Sequence, residues 1–392
     1  MALSLLGMGT AVPKDFVSQE QSLEIARKLV GSDPSLHEML ERLYPKTQIA
    51  RRHIGVAPKL VSTILDRGAI SSRLATRLRE DGNPTTVARL ENASEVANSL
   101  AEEAARQALA ESGRTADEVT HLITVSSTVG SAPGVDTELI QRLGLPCTVE
   151  RTNVGMMMCS AAINGLRIAN SFATADPSAV VLMCVWEICS VHYDLDPQPK
   201  KLVSNAIFAD GAAALVGIGD SNLDWRVETS GGCLVHSSRD NLRVAIGDHG
   251  LDIRLSSKVP GLIEEHLRPL VDKWLAESGL KTHDIRSWAV HPGGPKILQA
   301  TAGALDLADQ DLAASWEVLE RYGNMSSPTV LFVLEKLRRE EAPLPCVAIA
   351  YGPGMTVELA LIRPEAHAAG CNTRLASEGR KPQPVAASQK AA

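Results

Sequence analysis

Three residues of the chain carry side chains that could together perform acyl transfer: Cys159, His291 and Asn324. A cysteine thiolate attacks thioesters, a histidine can accept the thiol proton, and an asparagine amide can hold a developing oxyanion. The residues are 132 and 33 positions apart (291 − 159 and 324 − 291), so they belong to different structural elements. Only the fold can bring them together.

Each of the three also has an ordinary structural explanation when it is taken alone. Cys159 opens a stretch of small and apolar residues at helical spacing; a helix start favours a thiolate, although core cysteines are commoner. His291 stands between a predicted strand and Pro-Gly-Gly-Pro, which suits a ligand-facing residue and a loop histidine equally well. Asn324 precedes an apolar helix at 329–337, in the position of an N-cap. As a set, they predict a nucleophile whose pKa is lowered by the helix start and the histidine.

The elements that position these residues alternate between helices and strands. A helix is predicted over 93–112, and a strand at 3–6 is predicted to end in a turn at Gly7-Met8-Gly9. Further strands are predicted at 121–127, 179–185, 211–218, 287–290, 346–350 and 356–362. This alternation indicates an α/β fold with helix-covered sheets. The weakly patterned residues 219–226 separate predicted domains at 1–225 and 226–364, and the small, polar residues 365–392 predict a disordered tail.

The composition argues against several classes of protein. The 392 residues are 44% hydrophobic and 22% charged, as in ordinary globular proteins. The net charge of −7 (39 − 46) argues against nucleic acid or an anionic membrane as a partner. There is no basic region typical of a signal peptide and no apolar run long enough to span a bilayer. Seven cysteines without a C-x-x-C pair are typical of a reducing compartment, so a cytoplasmic location is predicted.

Four motifs around the three residues connect the chain with a known family. They are Met-Cys-Ser-Ala (158–161), Val-His-Pro-Gly-Gly-Pro (290–295), Tyr-Gly-Asn-Met-Ser-Ser (322–327) and Tyr-Gly-Pro-Gly-Met-Thr-Val-Glu (351–358). With them, most of the chain resembles the type III polyketide synthases, the chalcone and stilbene synthase superfamily, and specifically a microbial-type member. Ketoacyl-carrier-protein synthase III shares the cysteine, histidine and asparagine. Its histidine is usually followed by Gln-Ala-Asn, however, and its asparagine motif lacks Met-Ser-Ser.

The resemblance implies a five-layered αβαβα thiolase fold with two topologically similar halves, assembled as a homodimer. It implies that Cys159 carries the acyl starter and the growing polyketide. His291 would pair with the thiolate and, with Asn324, bind the thioester oxygen while malonyl-CoA loses carbon dioxide. Malonyl-CoA and an acyl-CoA starter would be substrates, with no separate cofactor and no metal.

The resemblance also implies a substrate pocket and a CoA site. Arg42 and Lys46 match cations that hold CoA phosphates, whereas the third such cation falls on Met39. The pocket positions are Phe208 (the gatekeeper between CoA tunnel and cavity), Cys189, His192, Ile253, Ala132 and Ser326. Of these, Ile253 opens the entrance, Ala132 replaces a residue that reaches into the partner's cavity, and Cys189 and His192 replace threonines of plant starter pockets.

These departures favour a fatty or small acyl starter over a coumaroyl starter. The predicted function is iterative condensation of malonyl-CoA, with cyclisation to a pyrone, resorcinol or phloroglucinol. A single-condensation enzyme like ketoacyl-carrier-protein synthase III and a non-enzymatic thiolase-fold scaffold are the alternatives.

Overall fold

The computed structural model describes residues 2–55, 86–193, 197–219, 223–236, 238–247 and 250–364; the predicted tail at 365–392 lies outside these ranges. The strands are β1 Leu3–Ala11, β2 Phe16–Ser18, β3 Arg51–His53, β4 His121–Ser126, β5 Glu150–Gly155, β6 Val180–Ile188, β7 Asp210–Ile218, β8 Arg226–Leu234, β9 Leu242–Gly247, β10 Gly250–Leu255, β11 Ser287–Val290, β12 Cys346–Gly352 and β13 Thr356–Arg363. The helices are α1 Gln19–Val30, α2 Pro34–Lys46, α3 Thr86–Ser112, α4 Val135–Leu143, α5 Ala161–Ala175, α6 Pro199–Ile207, α7 Val259–Glu277, α8 Pro295–Leu305, α9 Ala313–Tyr322 and α10 Thr329–Arg339.

The central feature is a nine-stranded sheet with the order β11-β12-β13-β8-β1-β7-β6-β4-β5. At one end β5, β4 and β6 run parallel, and at the other end β11 and β12 run parallel. The two halves meet where β1 pairs with β8 through Leu3↔Val227 and Ser4↔Arg226. Each half thus combines parallel strands, three in the first half and two in the second, with antiparallel neighbours.

The helices cover this sheet in layers, because nearly every residue of β4, β6, β7 and β12 is buried on both faces. Helices α5 and α10 lie in the middle and pack against both halves of the sheet. The opposite face of the first half is covered by α3 and α4, and the opposite face of the second half by α7 and α8. The order helix, sheet, helix, sheet, helix is the predicted five-layered architecture.

The turn expected at Gly7-Met8-Gly9 is not present, because β1 continues to Ala11. The two glycines serve close packing of α3 against the strand. A Cβ at Gly7 would lie 2.2 Å from the carbonyl oxygen of Ala108, and one at Gly9 2.2 Å from that of Ala104. Both distances are too short for any side chain, so glycine is required inside this strand.

Two further properties concern the described part of the chain. None of its helices is both long and apolar enough to cross a membrane. Within the same ranges, no three histidine, cysteine, aspartate or glutamate side chains are arranged to hold a metal ion.

Candidate active site

Cys159 lies in a 3-10 turn, Met158–Ser160, that leads directly into α5. Its thiol is partly buried and lies 3.5 Å from the hydroxyl oxygen of Ser326. The turn is held by Met158, which has a left-handed backbone (φ 52°) and donates its N–H to the hydroxyl of Ser127. Gly352 at the end of β12 packs so closely that a Cβ there would lie 2.2 Å from the hydroxyl of Ser160. The Cys159 turn is therefore fixed between the two halves of the sheet.

His291 follows the last residue of β11, and its N–H donates to the carbonyl of Ile349 on the neighbouring β12. The residue is 1% exposed, and within the described ranges neither ring nitrogen has a hydrogen-bond partner. Burial lowers its pKa to about 3, so the imidazole is neutral. A buried imidazole without partners is costly unless a ligand supplies them, which makes His291 a candidate for contact with substrate.

Asn324 does not have the N-cap role that its sequence position allowed. Helix α10 begins at Thr329 with Pro328 before it, and the side-chain oxygen of Asn324 accepts the N–H of Ser326 instead. Its amide nitrogen lies 3.3 Å from the carbonyl oxygen of Gly293, in the turn that follows His291. The structure thus brings Asn324 next to both the histidine turn and Ser326, which contacts the cysteine.

The surroundings of the Cys159 sulphur raise its pKa, whereas the sequence predicted a lowered one. Burial raises the pKa of Cys159 to about 11; hydrogen bonds from Ser326 and Asn324 favour the thiolate, whereas the nearby Glu187 carboxylate disfavours it. The helix start is outweighed by burial, because a charge inside a protein loses its hydration. In the free protein Cys159 is therefore a thiol and His291 a neutral imidazole.

Glu187 is absent from the set that the motifs single out. It is the next-to-last residue of the apolar strand β6, is fully buried, and accepts hydrogen bonds from the hydroxyls of Thr128 and Ser327, both at 2.7 Å. Burial raises its pKa to about 7. In the sequence, Glu187 could have been noticed as a single acidic residue inside an otherwise apolar run.

The predicted pocket residues divide between two cavities. Five of them line one small cavity beside the site: Phe208, Cys189, His192, Ile253 and Ser326. Ala132 lies outside it, exposed, on the wall of a second cavity of about 670 Å³. Both cavities share Thr128, His192 and Leu251.

His192 is held as part of the partition between these cavities. One ring nitrogen lies 2.9 Å from the carbonyl oxygen of Thr128, and the other accepts the N–H of Leu251 at 3.3 Å. Because the second nitrogen accepts, the first must donate, which assigns the neutral tautomer. The ring is fixed at the boundary and does not project freely into either cavity.

The predicted CoA-binding cations lie on the exposed side of α2. Arg42 is ion-paired with Glu38, and Lys46 is the last residue of the helix. Met39 is partly buried in the small core between α1, α2 and α6. Because α6 ends immediately before Phe208, α2 is linked by packing to the gatekeeper position.

Comparison with known proteins agrees with this architecture. The N-terminal domain of chalcone and stilbene synthases matches residues 2–221, and their C-terminal domain matches residues 227–365. The alpha-pyrone synthesis polyketide synthase-like Pks18 of Mycobacterium tuberculosis is 33% identical over 364 residues, which cover 90% of this chain and 88% of that protein. Bisdemethoxycurcumin synthase of Oryza sativa subsp. japonica is 32% identical over 387 residues, 93% of each chain.

Among solved structures, PKS-I from the brown alga Ectocarpus siliculosus superposes with a TM-score of 0.82 at 31% identity, covering 93% of this chain and 99% of that one. The shared architecture is the thiolase fold. The chain belongs to the chalcone and stilbene synthase family, the type III polyketide synthases, which are acyltransferases that use CoA thioesters.

Proposed function

We propose that this polyketide synthase loads an acyl starter on Cys159, extends it repeatedly with malonyl-CoA, and cyclises the product to a pyrone, resorcinol or phloroglucinol. The observation that carries the proposal is the convergence of Cys159, Asn324 and Ser326 near a buried histidine whose ring nitrogens have no partner within the described ranges. No group besides the CoA thioesters is needed for this chemistry.

In the loading step, His291 accepts the proton of Cys159 as the sulphur attacks the thioester carbonyl of acyl-CoA. The CoA thiolate leaves and takes up that proton, so that the acyl group remains on the protein as a thioester. A neutral imidazole is the form that can accept a proton, which is consistent with the lowered pKa of His291.

In the extension step, Asn324 and His291 donate hydrogen bonds to the thioester oxygen of malonyl-CoA. The carboxylate leaves as carbon dioxide, and its electron pair forms an enolate whose negative oxygen these donors stabilise. The enolate carbon then attacks the acyl carbonyl, and the Cys159 thiolate leaves. The lengthened chain is transferred back to Cys159 for the next cycle.

We propose that Arg42 and Lys46 bind the CoA phosphates and that the reactive arm enters past Phe208. Both cations are exposed on the helix that packs against α6, and α6 ends at this gate. Because the protein is acidic overall, it can bind phosphates only at a local group of cations. Arg42 and Lys46, one helical turn apart, form such a group.

We propose a fatty or small acyl starter whose tail passes Cys189, with His192 shaping the end where cyclisation occurs. Cys189 is 7% exposed and lines the small cavity. The second cavity adjoins it through His192, which leaves room for an acyl tail beyond the partition. The alpha-pyrone activity in the name of the mycobacterial relative supports a pyrone as one product class.

We also propose that the enzyme is a cytoplasmic homodimer in which Ala132 faces the partner's cavity. Strand β5 is the outer strand of the sheet, and Met156 and Met157 immediately after it are 50% and 43% exposed. An apolar patch of this kind beside an open strand edge favours burial by a second copy. Sedimentation of the wild type and of Met157→Glu tests this assembly, since only the wild type should dimerise.

The experiment that tests the proposed function is incubation of the purified protein with malonyl-CoA and a panel of acyl-CoAs, with products identified by mass spectrometry. Cyclised products with at least two malonyl-derived units are expected, and Cys159→Ala is the matched control that should form none. Activity only with a carrier protein, stopping after one condensation, would instead identify an enzyme like ketoacyl-carrier-protein synthase III.

A further inference from the structure

Arg52 is a buried cation outside the catalytic motifs. It lies on the short strand β3 and is 2% exposed. One terminal nitrogen lies 2.9 Å from the carbonyl oxygen of Phe208, 2.5 Å from that of Asn205 and 2.6 Å from the hydroxyl of Tyr193. The other donates to the hydroxyl of Ser22 at 2.6 Å. Within the described ranges no carboxylate lies within 4 Å of it. The charge is thus held mainly by hydroxyl and carbonyl oxygens, and the buried Asp210 carboxylate interacts with it without a direct ion pair.

The carbonyl that Arg52 holds belongs to a segment that is paired with the catalytic asparagine. Residues Phe208 and Asn324 form a parallel β-bridge. In it, the N–H of Asn324 donates to the carbonyl of Ile207 at 3.0 Å, and the N–H of Ala209 donates to the carbonyl of Asn324 at 2.9 Å. Movement of the Phe208 backbone is therefore transmitted directly to Asn324.

The stem of Arg52 contacts the same bridge from the other side. Gly323 has a left-handed backbone (φ 74°), and a Cβ there would lie 2.8 Å from Cγ of Arg52 and 3.0 Å from the carbonyl oxygen of Ile207. Arg52 thus packs against the residue before Asn324 and hydrogen-bonds the residue opposite it.

We infer that Arg52 is a positioning residue that sets the gatekeeper Phe208 and the oxygen-binding Asn324 relative to each other. The inference rests on the proposed function for the role of Asn324, while its structural part, the coupling of the two segments, does not. Tyr193 has a supporting role, because its hydroxyl also lies 2.5 Å from the Phe208 carbonyl oxygen.

If Arg52 had a purely structural role, its replacement would change acylation and carbon dioxide release equally. Replacing a buried charge by an apolar side chain of similar length is often neutral for stability or even stabilising, provided that the partners it leaves are still satisfied. Tyr193 continues to donate to the Phe208 carbonyl after such a replacement. Catalysis and stability can therefore be separated in one variant.

The test compares Arg52→Met and Tyr193→Phe with Ser22→Ala, which removes a contact of Arg52 remote from Phe208. For each, the rate of Cys159 acylation by acyl-CoA and the rate of carbon dioxide release from malonyl-CoA are measured. Arg52→Met should lower carbon dioxide release at least tenfold more than acylation, Tyr193→Phe should act in the same direction, and Ser22→Ala should change both less than twofold. Equal losses in both rates, or none, would overturn the inference.

Hydrogen exchange supplies a readout that does not depend on catalysis. The amides of Ala209 and Asn324 should exchange faster together in Arg52→Met and stay unchanged in Ser22→Ala. If wild type releases no carbon dioxide, the proposed function fails, while exchange still decides the coupling. If Arg52→Met does not fold, Arg52→Lys and Tyr193→Phe give the same comparison. Faster exchange confined to one segment would refute the coupling.

Discussion

Replacing Glu187 by glutamine should make the protein more stable relative to wild type as the pH rises. The carboxyl is fully buried, and burial raises its pKa from 4.5 to about 7. A group whose pKa is raised on folding binds its proton more tightly in the folded state. Its contribution to stability is therefore complete below pH 4.5 and is lost as the pH rises through 7.

The magnitude follows from the two pKa values. At about 1.4 kcal/mol per factor of ten, the difference amounts to about 3 kcal/mol in the free energy of unfolding between pH 4.5 and pH 8. With about 2.1 cal/mol/K of unfolding entropy per residue, this corresponds to about 4 °C in the melting temperature of a chain of this length. Glutamine can keep its carbonyl oxygen for the N–H of Ser127 and the hydroxyl of Thr128, and the hydroxyl of Ser327 can rotate to accept from its amide nitrogen.

The assay is urea or thermal unfolding of wild type and Glu187→Gln at pH 4.5, 6, 7 and 8. The difference between the two proteins should grow steadily in favour of the variant. Glu317→Gln is the matched control: hydrogen bonds from Lys336 and Arg321 lower the pKa of that carboxyl, so no growing advantage is expected. A difference for Glu187→Gln that stays constant across this range would refute the reasoning, because it would mean that the buried carboxyl does not titrate there.

Three further outcomes are expected. Because burial raises the pKa of Cys159, its alkylation by iodoacetamide should be slower at pH 7.5 than that of the exposed Cys147 and should keep rising to pH 10, whereas a plateau below pH 8 would show a preformed thiolate. Asn324→Ala should load starter nearly normally but release carbon dioxide about 100- to 1000-fold more slowly, and equal loss of both steps would contradict its role. Cys189→Phe should shorten the accepted starter or the product chain, and an unchanged product spectrum from a folded variant would show that the tail does not pass there.

The motifs in the sequence were sufficient for the family and the layered fold, and they single out Cys159, His291 and Asn324 as the candidate site residues. Each motif is a short continuous stretch of sequence, so it can be recognised without knowing which residues surround it in the folded protein. The surroundings of Cys159 could not be predicted in this way. Its pKa depends on burial, on a hydrogen bond with Ser326 and on the charge of Glu187, and both residues are distant in sequence.

The glycines of β1 and the position of Arg52 show the same limit. In the sequence, Gly7 and Gly9 are typical of a turn. They belong to a strand because α3, about a hundred residues later in the chain, packs closely against them. Arg52 follows another arginine in a charged segment and has no sequence signal of burial. Its contacts with Phe208 and Tyr193 arise only when the chain has folded.

The place of β1 in the sheet has a consequence for synthesis on the ribosome. This strand is made before the other strands of the sheet, yet its partners are β7 and β8, and β7 begins only at Asp210, 199 residues after Ala11 (210 − 11). At about 5–20 residues per second, the nascent strand waits about 10–40 s before its first partner is translated. During that time an apolar segment is exposed that can pair with other nascent chains. A chaperone that binds the emerging strand β1 should therefore increase the yield of native enzyme, and slowing translation should decrease it.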